Sequence, residues 1–232
     1  MVAAIQTAQR KELDAKERSP MSDAGTLVYV VDDDVSAREG VARLICSAGL
    51  TAKTFASGEE FLAASRSKIP GCLILDLNLP GLNGLDLQEE IAESDTEVPI
   101  IFLTGCGDIP MTVRAVKAGA ANFLTKPVDD EELLKAVRQA LERSRLVLAR
   151  ETQMEELRDS YASLTPREMQ VMALVVSGLL NKQVGGELGI AEKTVKAHRG
   201  LVMQKMKANS IADLVKMAEK LHLTERSTKQ TA

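Results

Sequence analysis

Aromatic residues are scarce in this chain: its 232 residues include no tryptophan, two tyrosines and four phenylalanines. Because 45% of the residues are nonetheless hydrophobic, the chain can form sizeable cores, and those cores must be mainly aliphatic. No apolar run approaches the roughly 18 residues that a membrane-spanning helix needs. The first residues mix acids and bases without an apolar segment, which argues against a signal peptide. We therefore expect a cytoplasmic protein without a membrane partner.

Cysteines are also few. The three present, Cys46, Cys72 and Cys106, are odd in number, widely separated and without CxxC spacing. This pattern argues against both a disulfide framework and a zinc site. We expect buried, reduced thiols.

The charges divide the chain into an acidic part and a basic part. From Gly25 to Ser144 there are 19 acids and 11 Lys/Arg, a net charge of −8. From Ala162 to Leu223 there are 5 acids and 9 Lys/Arg, a net charge of +4. This asymmetry predicts two domains with different partners, and nucleic acid is the natural partner of the basic one.

Strand and helix patterns alternate through the acidic part. Short apolar runs bounded by turn residues predict strands near 27–32, 51–55, 72–77, 98–104 and 122–126. Helical periodicity follows each of them, near 35–48, 58–65, 84–93, 110–118 and from 129 onward. Five such units predict a parallel, doubly wound sheet of the flavodoxin-like α/β class, with helices on both faces.

A long helix leads out of this sheet domain. Helical residues continue from Asp129 to about Ser160 without Gly or Pro. Leu134, Leu141 and Leu148 recur every seven residues, so a short coiled coil remains an alternative to a solvated linker helix.

The basic part begins with a strong helix start signal. Thr165 as cap, Pro166 at the first helical position and Glu168 three residues after the cap form a capping box. Helices are predicted near 166–177, 181–188, 192–206 and 210–221. The Gly189 turn between the second and the third is typical of a helix-turn-helix.

The predicted domains are thus an α/β domain 25–143, a helical linker 144–161 and an all-α four-helix domain 162–223. Residues 1–24 are expected to be a disordered or loosely helical extension, with Met21 as an alternative start, and residues 224–232 a flexible tail.

Charged or hydroxyl side chains follow four of the predicted strands. Asp32 and Asp33 end the first, Asp76 the third, Thr104 the fourth and Lys126 the fifth. The carboxyl ends of parallel strands share one edge of a sheet, where such folds bind ligands. Clustered carboxylates repel one another unless a cation neutralises them, and they suit a hard divalent ion such as Mg²⁺. A carboxylate beside a lysine and a hydroxyl can take part in phosphoryl transfer.

The order and spacing of these residues resemble the receiver domain of two-component response regulators. The resemblance implies that Asp76 is the phosphoacceptor. It also implies that Asp32, Asp33 and Asp76 bind Mg²⁺ together with the main-chain oxygen of Asn78.

The same resemblance implies a conformational switch. Lys126 would contact the phosphoryl group, while Thr104 and Phe123 would form the pair of residues that moves on phosphorylation. Phe123 lacks the hydroxyl of the tyrosine found in many relatives, so packing alone must hold its ring. A cis peptide bond is expected before Pro127.

The segment from Leu164 to Ala218 looks like a LuxR-type DNA-binding domain, and together the resemblances indicate a response regulator of the NarL/FixJ type. The helix that begins at Glu192 would be the recognition helix. Val195, Val202 and Met206 should face the core, whereas Lys196 and Arg199 are the candidates to reach base edges. The candidate DNA-binding residues, whether at bases or at phosphates, are Lys182, Lys193, Thr194, Lys196, His198, Arg199 and Lys205.

The implied function is transcriptional control by phosphorylation. A histidine kinase would phosphorylate Asp76, the receiver would dimerise through the surface near 110–127, and the dimer would bind promoter DNA, with RNA polymerase as a further partner. The protein would not be an enzyme beyond its own phosphorylation and dephosphorylation.

Two alternatives stay open. Asp32-x-Asp34-x-Ser36 resembles the nucleophile motif of haloacid-dehalogenase phosphatases, which would make Asp32 the nucleophile but would leave Asp76 unexplained. The other alternative is a regulator that binds DNA independently of phosphorylation.

The basic domain departs from its relatives at two places. Gly185 and Gly186 lie in the second helix, where relatives usually carry alanines, at an expected cost of about 1 kcal/mol each. Ala191 replaces the usual Ser cap of the recognition helix, at an expected cost of about 0.5–2 kcal/mol. We therefore expect a DNA-binding domain that is less stable than those of its relatives.

Overall fold

The computed structural model describes residues 25–65, 68–93, 98–105, 113–115 and 117–223. The predicted extension, the predicted tail, Cys106 and four of the nine residues of the predicted helix 110–118 lie outside these ranges. The chain divides into two compact units, the first ending at Leu148 and the second beginning at Ala149. Within the described ranges, no helix is both long enough and apolar enough to cross a membrane.

The first unit contains a five-stranded parallel sheet with the order β2-β1-β3-β4-β5. Its strands are β1 (Leu27–Val31), β2 (Thr51–Phe55), β3 (Gly71–Asp76), β4 (Ile100–Thr104) and β5 (Asn122–Thr125). Every residue of β3 and β4 is buried, as expected for strands covered on both faces.

Helices cover both faces of the sheet. The described helices of this unit are α1 (Val35–Ser47), α2 (Gly58–Ala63), α3 (Gly84–Ala92) and the start of α4 (Asp130–Ala162). Alternate residues of β3 separate the two cores: Cys72 and Ile74 pack with α1 and α4, whereas Leu73 and Leu75 pack with α2 and α3. The predicted doubly wound fold is confirmed.

The long helix α4 is continuous, and its inward face packs on the sheet. Val137 and Leu141 are buried in the core of the first unit, with Leu134 half-buried beside them. Leu134 and Leu141 of the leucine repeat therefore serve packing within the first unit. Ser144 on the same face accepts a hydrogen bond from the Gly71 amide at 3.1 Å.

The second unit is all-helical. It contains α5 (Pro166–Val176), α6 (Asn181–Leu188), α7 (Glu192–Lys205) and α8 (Ile211–Lys220). Val195 and Val202 of α7 and Met206 at its C-cap are buried, as the spacing predicts. Gly189 adopts a left-handed φ of 63° at the end of α6, which permits the tight turn into α7. All described strands and helices end within two residues of their predicted positions.

The thiols differ from expectation in one respect. Cys72 is buried, but Cys46 is exposed on α1. The position of Cys46 follows from the helical period, since its neighbour Ile45 takes the inward-facing position.

Candidate acidic site and helix-turn-helix surface

Three carboxylates meet at the carboxyl edge of the sheet. Strands β1 and β3 are neighbours in register, with Val31 opposite Leu75, so Asp32 and Asp76 follow side by side. One oxygen from each of Asp32, Asp33 and Asp76 lies within 4.8 Å of the others. Asp32 and Asp76 are buried, with 2% and 8% exposure, whereas Asp33 is exposed. The sequence prediction that these acids converge agrees with this geometry.

Lys126 joins two of these acids. Its ammonium lies 2.7 Å from Asp32 Oδ2 and 2.7 Å from Asp76 Oδ2. Burial works to lower the pKa of Lys126, but its hydrogen bonds to Asp32 and Asp76, with their charges, outweigh burial and raise that pKa above its ordinary value. The lysine thus gives both buried carboxylates a cationic partner and offsets one of their two negative charges.

Backbone hydrogen bonds fix the orientation of the acids. Asp32 Oδ1 accepts from the Asp34 amide at 2.9 Å, and Asp76 Oδ1 accepts from the Asn78 amide at 3.1 Å. Arg38, one turn into α1, donates to the main-chain oxygen of Asp32 at 2.6 Å. Sequence reasoning missed Arg38, although a cation one turn after an acidic run is a readable signal.

The predicted switch residues lie on the strands next to Asp76. Thr104 ends β4 and is fully buried. Phe123 in β5 is half-buried, with its ring centroid 6.3 Å from that of Phe102. The Lys126–Pro127 peptide bond is cis, as the resemblance implies. The Asn78 side chain is exposed, so only its main chain is positioned by the contact with Asp76.

The oxygen donors fit a small divalent cation. Two buried carboxylates and one exposed carboxylate within one another's reach form a hard, all-oxygen ligand set of the type that binds Mg²⁺. The exposure of Asp33 leaves one side of this set accessible to water and to an incoming group.

Asp34 has a different role from its neighbours. Its carboxylate caps α1 by accepting from the Ala37 amide at 2.9 Å. The amides of Ala37 and Ser36 hold the pKa of Asp34 below its ordinary value. In the phosphatase alternative Asp34 is the second acid of the motif, but here that acid caps a helix.

The predicted DNA-binding residues occupy different environments on the second unit. Lys182, Lys193, Thr194 and Lys196 are exposed, whereas His198, Arg199 and Lys205 are half-buried. Arg199 Nη1 donates to Asn181 Oδ1 at 2.9 Å, so this guanidinium is held against the first residue of α6.

Lys205 has an internal partner. Its ammonium lies 2.7 Å from Glu168 Oε2 and 3.2 Å from the main-chain oxygen of Ser163. Glu168 also completes the capping box of α5 with Thr165. Hydrogen bonds from Lys205, and then from the Thr165 amide, lower the pKa of Glu168. The structure therefore gives Lys205 a role that the sequence did not indicate, and its contact with DNA stays a prediction.

The two glycines of α6 are not equivalent. A Cβ on Gly185 would lie 2.8 Å from the main-chain oxygen of Ile190, whereas a Cβ on Gly186 would meet no described atom within 4 Å. The expected cost of about 1 kcal/mol relative to alanine therefore applies to Gly186 and is wrong for Gly185, because the turn approaches its backbone closely. Ala191 caps α7 without a side-chain hydrogen bond, as its side chain requires.

Two protein families match this chain. The family described as response regulator receiver domain matches residues 28–138. The family described as bacterial regulatory proteins, luxR family, matches residues 162–218.

Known proteins resemble the chain over most of its length. It is 49% identical to nodulation protein W of Bradyrhizobium diazoefficiens over 205 residues, which cover 88% of this chain and 90% of that protein. It is 41% identical to the transcriptional regulatory protein FixJ of Azorhizobium caulinodans over 191 residues, covering 82% and 90%. Among solved structures, the response regulator StyR superposes with a TM-score of 0.77 at 49% identity, covering 84% of this chain and 99% of that one.

Proposed function

The chain belongs to the two-component response regulators of the NarL/FixJ type, which join a receiver domain to a LuxR-type DNA-binding domain, and from this membership we propose a specific phosphorylation switch. A histidine kinase transfers a phosphoryl group to Asp76. The modified receiver dimerises, and the dimer binds promoter DNA more tightly than the unmodified chain does.

The chemistry assigns a role to each residue of the acidic site. The carboxylates of Asp32, Asp33 and Asp76, with the main-chain oxygen of Asn78, would hold Mg²⁺, which when bound neutralises both the acids and the incoming phosphoryl oxygens. An Asp76 carboxylate oxygen attacks phosphorus, so that an O–P bond forms and the P–N bond to the kinase histidine breaks.

Residues at the ends of the neighbouring strands contact the phosphoryl group on Asp76. Lys126, already beside Asp76, pairs with a phosphoryl oxygen. Thr104 donates its hydroxyl to another, and the Phe123 ring moves inward. These shifts bias the surface near 110–127 toward the dimer-competent state.

Dimerisation presents two recognition helices to paired half-sites. We place the receiver at 25–143, the helical linker at 144–161 and the DNA-binding domain at 162–223. We further propose that the protein works in the cytoplasm, where bacterial promoters are found, that it contacts RNA polymerase there, and that it has no catalytic activity on other molecules.

The observation that carries the proposal is the shared pairing of Lys126 with Asp32 and Asp76 at 2.7 Å. It brings a cation, a buried acid and the candidate phosphoacceptor together at one strand edge, which the phosphoryl-transfer chemistry requires.

The test is phosphorylation by acetyl phosphate in Mg²⁺, followed by mass-spectrometric mapping of the trapped aspartyl phosphate. We expect the label on Asp76, and we expect Asp76→Asn to abolish both donor-dependent dimerisation and strengthened DNA binding. Asp130→Asn, which removes an exposed acid of α4, is the matched control and should behave as wild type.

Two results would contradict the proposal. Label on Asp32 would favour the phosphatase alternative. Equal DNA affinity with and without the donor would favour a phosphorylation-independent regulator.

A further inference from the structure

Arg199 of α7 is hydrogen-bonded to the preceding helix, α6. Its Nη1 donates to Asn181 Oδ1 at 2.9 Å, and the side chain is half-buried. In contrast, Lys193 and Lys196 on the same helix are exposed. Arg199 therefore differs from the other cations of α7 in having a fixed partner on the preceding helix.

The partner lies at a helix N-terminus without a side-chain cap. Asn181 is the first residue of α6, and the preceding Leu180 caps it without a side-chain hydrogen bond. The Leu180 side chain is 70% exposed, and the Leu180 amide donates to Gln183 Oε1 at 2.8 Å. An N-terminus of this kind carries a partial positive charge that attracts anions. Arg199 and the start of α6 thus form one electropositive surface.

The hydrogen bond to Asn181 uses only part of the donor capacity of the guanidinium. One N–H group of the five is directed to Asn181, and the rigid fork can still donate to two oxygens of one phosphate. Because Asn181 limits the rotation of the side chain, less conformational entropy is lost when an anion binds.

Helix-turn-helix geometry decides which part of DNA this surface meets. The second helix of the motif enters the major groove, while the first crosses the phosphate backbone. A guanidinium bound to the first residue of that first helix lies where the backbone passes. An extended arginine on the groove-facing surface would instead reach base edges.

We propose that Asn181 orients Arg199 as a clamp for a DNA phosphate, and that Arg199 contributes affinity without reading the base sequence. The inference rests on the proposed DNA-binding function. It assigns Arg199 to the backbone, not to base edges, and it makes Asn181 a positioning residue. Base readout is left to exposed residues of α7 such as Lys196.

The test uses the full-length phosphorylated chain with two duplexes: an operator obtained by sequence selection, and mixed-sequence DNA of the same length. Arg199→Ala should weaken binding to both by the same factor, roughly tenfold or more. The slope of log affinity against log salt should become shallower by about 0.9, the value for one lost phosphate contact. Arg199→Lys should recover part of the affinity, since it keeps the charge but not the fork.

Asn181 is tested in the same assay. Asn181→Ala should weaken binding several-fold in the wild-type background and hardly at all in the Arg199→Ala background, because the two residues act as a unit. Asn181→Asp keeps the side-chain shape and suits a helix N-terminus, so the melting temperature should not fall. It should nevertheless weaken DNA binding more than Asn181→Ala does, since its carboxylate repels phosphate.

Arg158→Ala is the control for net charge, because Arg158 is an exposed arginine of α4. It should leave the salt slope unchanged. The inference is overturned if Arg199→Ala weakens only operator binding, if it has no effect, or if the two Asn181 and Arg199 losses simply add. Failure of the proposed function would look different, since the wild-type chain would then bind neither duplex.

Discussion

The Lys126 ammonium lies 2.7 Å from Asp76 Oδ2, although the two residues are 50 positions apart in the chain. Strand β4 separates their strands in the sheet, so the contact depends on the long lysine side chain that follows β5. The same ammonium reaches Asp32. Both acids are buried, and among the described residues this cluster is the one group of three acids close enough to hold a metal ion.

Lys126→Met should destabilise the metal-free receiver. The variant leaves two buried carboxylates without their cation, which costs about 3 kcal/mol in the free energy of unfolding. Denaturant unfolding in EDTA measures the loss. Saturating Mg²⁺ should restore more stability to the variant than to wild type, because the ion then supplies the missing charge. Lys117→Met, at an exposed lysine of the same unit, should change little; an equal effect of the two variants would contradict the prediction.

The stabilisation by Lys126 should disappear at alkaline pH. Its pKa is raised above the ordinary 10.5, so the folded state binds this proton more tightly than the unfolded state does. The contribution is therefore complete below pH 10.5 and is lost as the pH rises through the folded pKa. At pH values above the folded pKa, the free energies of unfolding of wild type and Lys126→Met should become similar. A constant difference between the two chains across this range would contradict the assignment.

Alanine should have opposite effects at the two glycines of α6. Gly186→Ala should raise the free energy of unfolding of the DNA-binding unit by about 1 kcal/mol, since its Cβ has open space among the described atoms. Gly185→Ala should be less stable than Gly186→Ala by about 1–3 kcal/mol, because its Cβ would lie 2.8 Å from the Ile190 oxygen. Thermal unfolding of the two variants measures this difference in stability. Equal stabilisation by both would contradict the prediction, because it would mean that the turn at Ile190 shifts to accommodate the new Cβ.

Lys205→Met should lower the stability of the second unit without removing a contact with DNA phosphate. Removing the ammonium leaves the buried Glu168 carboxylate with only its Thr165 contact, so the melting temperature of the second unit should fall. The salt slope of DNA binding should stay as in wild type, while Lys182→Met, at an exposed lysine, should make it shallower by about 0.9. The reverse pattern would make Lys205 a phosphate contact.

The ion pair also predicts an acid dependence. The pKa of Glu168 is lowered by Lys205 and by the Thr165 amide, so the folded state binds this proton less tightly than the unfolded state does. Its contribution is present above the ordinary pKa of 4.5 and is lost as the pH falls through the folded pKa. Wild type should approach the stability of Glu168→Gln in that range, and a gap that persists at lower pH would contradict the assignment.

The two described cysteines should differ strongly in reactivity. Burial raises the pKa of Cys72 to about 12, whereas Cys46 is exposed on α1. In a Cys106→Ser background, a thiol reagent at pH 8 should label Cys46 rapidly and Cys72 only on unfolding. Equal labelling rates in the folded chain would contradict the burial of Cys72.

Local patterns in the sequence were sufficient for the architecture. Apolar runs that end at Asp32 and Asp76 predict buried parallel strands, and their common polarity predicts that the acids share an edge. The Thr165 capping box and the Gly189 turn likewise predict the helix starts and the helix-turn-helix. These features depend on the strand and helix periods and on turn chemistry, which act over a few residues.

Pairwise contacts between separate elements were not predictable in this way. The sequence did not indicate that Lys205 pairs with Glu168 or that Arg199 pairs with Asn181. The leucine repeat of the long helix left a linker helix and a short coiled coil both open, and the sequence did not indicate that Leu141 packs in the sheet core. Such partners depend on how two elements cross, a property that no local pattern contains.

By itself the sequence determined the order of strands and helices, the edge where Asp32, Asp33 and Asp76 meet, and the division into an acidic and a basic half. Tertiary structure alone decided which acid caps a helix, which glycine tolerates no side chain and which cations are already paired. The physical reason is range: backbone conformation and hydrophobic period are set by neighbours in the chain, whereas hydrogen bonds and steric contacts between elements exist only after those elements have packed.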